Sequence, residues 1–75
     1  MWIRSQDKKT LVKVSKIFIN KVFKKAAILG EVDAGGSLSG AISLGEYDSP
    51  EAANLELDAI QDFISSNKGL VYEMK

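Results

Sequence analysis

One stretch of this chain carries a complete helix signature, and it confines where every other element can go. Ser49 offers a hydroxyl to cap free amides, Pro50 stands where a missing N–H costs nothing, and Glu51 meets the positive end of the helix dipole. Ala53, Leu57, Ile60 and Ile64 then recur at i, i+4, i+7 and i+11 with Phe63 beside them, which draws one apolar stripe. The helix is expected over residues 49–66, because Asn67 and Gly69 tolerate the left-handed conformation that stops helices. A stripe of this kind has to be covered. The rest of the chain offers strands to cover it.

Trp2 to Gln6 and Thr10 to Ile19 flank the turn-like Asp7-Lys8-Lys9. Within the second stretch Val12 and Val14 share one phase while Ile17 and Ile19 share the other, so a bulge or bend is expected at Ser15-Lys16. Ala26 to Val32 and Ala41 to Tyr47 read as a hairpin joined by the glycine-rich connector Gly35 to Gly40, and Leu70 to Met74 reads as a terminal strand. Residues 20–25 can be loop or strand. A basic amphipathic helix over residues 8–29 is the rival reading. Its lysines do not stay on one side, and Thr10, Val12, Val14, Ile17, Ile19 and Val22 are β-branched, which favours strands. The expected fold is therefore α+β: an antiparallel sheet of about four to five strands, one helix on one face and a short C-terminal strand. At 75 residues the chain is one domain, residues 1–75, since two cores would each be too small to hold.

Composition removes much enzymology. Without Cys or His there is no disulfide, thiol nucleophile, Ser-His pair or imidazole ligand. No cofactor is expected, nor an enzyme. The longest apolar run after the N-terminus, Ala26 to Leu29, is too short for a signal core or a membrane span, so a cytoplasmic protein with no membrane partner is the expectation. Net charge is zero, yet its distribution is uneven. Residues 1–29 hold eight cations against Asp7, a balance of +7, and residues 30–75 hold two against nine carboxylates, a balance of −7.

Met1-Trp2-Ile3-Arg4-Ser5-Gln6, Leu44-Gly45-Glu46-Tyr47, Leu57-Asp58 with Ile60-Gln61, and Val71-Tyr72-Glu73-Met74 together resemble a group of small uncharacterised proteins of Gram-positive bacteria and their phages. The likeness covers both ends and the helix, while residues 15–40 look individual. It implies a strand meander, one helix and a last strand, with a mobile-element origin and no known activity. Glu56 stands where such sequences are usually apolar. A carboxylate there is expected to reach solvent or meet a cation such as Arg4 or Lys13.

Four features invite functional readings. The glycine-rich connector lacks the lysine and hydroxyl of a phosphate loop and reads as a hairpin loop. Glu46, Asp48 and Glu51 lack the ligand ladder of a calcium loop and read as helix-start charge, so no metal is expected. Glu51, Leu55, Asp58 and Asp62 line up opposite the stripe, a leucine inside an acidic rim that suits a basic surface on another protein or a second copy. Lys13, Lys16, Lys24 and Lys25, interleaved with Trp2, Phe18 and Phe23, offer phosphate and base contacts to nucleic acid. The leading expectation is a small non-enzymatic protein-interaction module, self-associating or adding a strand at an open sheet edge; a nucleic-acid-binding accessory protein is the alternative.

Overall fold

The computed structural model describes residues 1–32 and 40–75, so most of the glycine-rich connector lies outside the described residues. Along the chain run β1 (Trp2–Arg4), β2 (Leu11–Lys13), β3 (Lys16–Val22), β4 (Lys25–Val32), β5 (Gly40–Tyr47), α1 (Pro50–Ser65) and β6 (Val71–Glu73). The α+β class with one helix and a C-terminal strand is as expected. The strands form two three-stranded sheets, β2-β1-β6 and β3-β4-β5. In the first, β1 runs antiparallel to β2 and parallel to β6, with Ile3 opposite both Val12 and Tyr72. That parallel pair is possible because β5 and the helix intervene and return the chain in the same direction.

A one-residue corner separates the sheets. The Val14 amide donates to the Met1 carbonyl at 2.9 Å, and the next amide, Ser15, donates to the Glu31 carbonyl at 2.9 Å. Neighbouring amides thus serve different sheets, one position earlier than the phase change at Ser15-Lys16 suggests. The other seam runs through Gln6, whose amide donates to the Leu44 carbonyl at 2.8 Å. Its side chain accepts from the Glu46 amide at 2.9 Å and donates to the Lys75 carbonyl at 3.2 Å. Between these contacts the β4–β5 register shifts at Ile28/Leu29, a bulge that turns β5 toward Gln6.

Helix α1 lies across β4, β3 and β5. Ile60 of the helix is fully buried together with Ile3, Ile28, Leu44 and Met74, and these five belong to one core. Alternation on β4 puts Ala26, Ile28 and Gly30 inward, and their partners Lys21, Ile19 and Ile17 share that face, the two isoleucines reaching the core. The opposite face carries Lys16, Phe18, Asn20 and Val22 of β3 beside Glu31, Leu29, Ala27 and Lys25 of β4. The helix starts as its sequence dictates, with the Ser49 hydroxyl accepting from the Ala52 amide at 3.1 Å, and it closes at Ser66 before Asn67 takes φ 53°. Its buried side differs from the expected stripe. Ala53, Glu56 and Ile60 are buried while Ile64 is 57% exposed, so the helix is rotated toward Glu56 and Phe63.

The expected choice for Glu56, solvent or a cation, is corrected as well. The residue is only 7% exposed and takes neither; Oε2 accepts from the Tyr72 hydroxyl at 3.0 Å and the Lys75 amide at 2.8 Å. Two neutral donors compensate the burial, and both belong to the C-terminal strand and its extension. The carboxylate thus fastens β6 to the helix.

Gly30 sits where the corner presses on the core: a Cβ there would lie 2.7 Å from Val14 Cγ1 and 3.0 Å from Leu44 Cδ1. Gly30→Ala is expected to destabilise the fold by about 1–3 kcal/mol through overpacking, read as a lowered denaturant midpoint at unchanged slope. At the helix start, Ser49→Ala removes the cap and is expected to cost about 1 kcal/mol in the same assay.

Candidate interaction surfaces

The acidic strip assembles as its spacing requires. Glu51, Leu55, Asp58 and Asp62 are all exposed on the solvent side of α1, at successive steps of four, three and four residues, and Leu55 is 70% exposed. Asp62 makes an ion pair with Lys68 at 3.4 Å, with both groups well exposed, which is worth little energetically. Glu46 and Asp48 do not join Glu51 as a ligand set. Among the described residues no group of three acidic side chains is placed to hold a metal ion.

The lysines are divided between two ends of the molecule. Lys16 opens β3 opposite Glu31, whereas Lys25 stands at the far end opposite Val22 with Lys24 in the turn, about 20 Å away along the strand. Lys13 lies on the other sheet, beside Trp2. Lys16 leans over the Phe18 ring with Nζ 5.4 Å from its centroid. Phe18 therefore lies on the solvent face between lysines at both ends.

Two surfaces were not foreseen. The first borders the β1/β6 pair, where Trp2 and Val71 are neighbours and both are partly exposed. Beside this pair Trp2, with Met1, Phe63, Ile64 and Leu70, lines an open groove of about 320 Å³. It arises because β6 runs parallel to β1, a pairing between distant residues that local patterning does not encode.

The second surface is the turn between β3 and β4. Pairing continues to Val22 opposite Lys25, which leaves Phe23 and Lys24 as a two-residue hairpin loop and makes residues 20–22 strand. Phe23 has φ 56°, the left-handed region that hairpins normally fill with glycine or asparagine, and its ring is 97% exposed. A bulky side chain there costs about 1–2 kcal/mol and the ring offsets none of it by packing. Lys21, Lys24, Lys25 and the half-exposed Val22 surround it. An open concavity of about 690 Å³ runs along one side of the hairpin, bounded by the tip residues Val22, Phe23 and Lys24 at one end and by Glu46 and Tyr47 at the other. No turn residue marks the position, because the two loop residues are Phe and Lys and neither Gly nor Asn.

Tyr47 links that concavity to the interior. Its hydroxyl is buried with no hydrogen-bond partner among the described residues, and a Cβ on Gly45 would come within 3.0 Å of it. Burial, reinforced by the charge of Glu56, pushes the Tyr47 phenol up to about 12. Burial, the hydrogen bond to Glu56 and its charge raise Tyr72 as well.

No known family model matches the chain, and neither a curated protein nor a solved structure does. No helix among the described residues is long and apolar enough to cross a membrane.

Raised phenol values mean that the folded state favours the neutral tyrosines. Their contribution is fully present below the unfolded value of about 10 and is lost as pH rises through the folded values. Both tyrosines are thus expected to resist ionisation in the folded protein, and an alkaline titration should show tyrosinate absorbance appearing together with loss of helix signal. Ionisation of either ring near its ordinary value with the helix intact would contradict this packing.

Proposed function

We propose that this chain is a small, non-enzymatic, cytoplasmic protein-interaction module that docks through the outer face of α1. The observation that carries this reading is Leu55, uncovered at 70% exposure, with Glu51 and Asp58 one turn to either side and Asp62 one turn beyond Asp58. An exposed apolar anchor within a carboxylate row suits a partner surface rich in lysine or arginine with an apolar patch at its centre. A second copy offers that chemistry, because the N-terminal strands and their turns carry most of the lysines and the apolar Phe18–Leu29 pair stands on the outer sheet face.

The chemistry available inside the fold supports a binding rather than a catalytic role. Glu56, the buried carboxylate, is held by Tyr72 and Lys75 in a structural clasp, and the other described acidic residues are exposed apart from the half-buried Glu31 on the outer sheet face. The nucleic-acid alternative draws on the outer face of β3 and β4, where Lys16, Phe18 and Lys25 lie along one surface. Glu31 opposite Lys16 and Glu46 opposite Ala27 offset part of that charge.

Sedimentation velocity at low and high salt tests the leading reading. The wild-type chain is expected to form a salt-sensitive dimer, and Leu55→Lys to sediment as a monomer with unchanged helix content. A wild-type monomer at low salt, or a dimer indifferent to Leu55→Lys, would remove self-association through this face.

A further inference from the structure

We propose that the β3–β4 hairpin tip is a contact site for an anionic phospholipid surface, a role separate from partner docking through α1. Phe23 forms the apex, almost wholly in solvent, with Val22 next to it at 53% exposure. The three lysines make a collar around this apolar point. Lys21 lies on the helix side of the hairpin, Lys25 on the opposite side and Lys24 in the turn. Cations distributed on both faces suit a plane that meets the hairpin end-on, where each ammonium reaches headgroup phosphates while the ring enters the acyl boundary. A protein groove would engage one flank of the hairpin and leave part of the collar idle.

Shape points the same way. The tip is a knob, and a bilayer surface receives a knob without offering a matching socket. The backbone supplies an independent observation: φ 56° at Phe23 is a strained conformation for a side chain that contributes no packing. Glycine at that position would relax the turn, so the ring's contribution has to lie outside the fold. Across the sheet Tyr47 stands level with Lys21, both opposite Ala26, and Glu46 lies one residue further from the tip; the exposed Asp48 follows Tyr47 toward the tip, so the collar of three lysines meets one carboxylate at its β5 side.

Each lysine near an anionic surface is worth about fivefold in partition, and burial of the phenyl ring about tenfold. The test is co-sedimentation of the full chain at low salt with vesicles of equal parts phosphatidylcholine and phosphatidylglycerol, against vesicles of phosphatidylcholine alone. Binding is expected to the mixed vesicles and to fall about tenfold for Phe23→Gly, whose melting temperature should stay level or rise. Lys24→Glu combined with Lys25→Glu should lose more, whereas Lys16→Glu, at the other end of β3, should bind as the wild type does. Failure to bind mixed vesicles, full binding by Phe23→Gly, or a loss from Lys16→Glu as large as that from the Lys24→Glu, Lys25→Glu double variant would overturn the proposal. Retention on duplex DNA that disappears in Phe23→Gly while vesicles are ignored would overturn it too, and would give the tip to nucleic acid. Phe23→Gly leaves both Leu55 and the outer face of β3 and β4 intact, so loss of vesicle binding in that variant with an unchanged salt-sensitive dimer separates this proposal from the dimer reading.

Discussion

The turn of two successive amides toward different strands, Val14 to Met1 and Ser15 to Glu31, is the constraint on which this architecture rests. A continuous ladder would have carried the chain from β2 into β3 in one flat sheet, leaving the helix a single broad floor. The corner instead folds the N-terminal strands beside that floor, so Ile3 and Met74 can join Ile28, Leu44 and Ile60 in one core. Its cost is steric, and Gly30 meets it by leaving room for the Val14 and Leu44 side chains. Gln6 closes the other side by binding β5 and the Lys75 carbonyl with one side chain.

Against that frame Glu56 is less anomalous than its position in the helix suggests. A carboxylate in an apolar stripe is costly when isolated. Here it collects donors from Tyr72 and Lys75, so the polar group specifies where the last strand stops. The edge-on contact of Phe63 with Tyr72, centroids 5.2 Å apart, fixes the same strand from the side. The helix is rotated to serve both contacts, which is why Ile64 is left facing the solvent.

What could be read along the chain was whatever local chemistry decides. Ser49 and Pro50 mark the helix start because capping and a fixed φ act within one turn. The β4 and β5 segments show themselves by composition, and the bend near Ser15 by a change of phase. The outward row Glu51, Leu55, Asp58 and Asp62 follows from helical spacing alone. The division into two sheets, the parallel β1/β6 pair and the clasp on Glu56 depend on residues far apart in sequence, so no local rule reveals them. The tip was hidden for a different reason: a phenylalanine at positive φ contradicts the turn chemistry by which hairpins are recognised.

The pairing of Trp2 with Val71 also sets an order of events during folding. The meander of β3, β4 and β5 closes through nearby residues and can assemble early. Strand β1 finds β2 close by in sequence, yet its second neighbour, β6, lies beyond the meander and the helix and joins late. Until then β1 keeps an unfilled edge, and that open edge is where one copy is most exposed to mispairing with another.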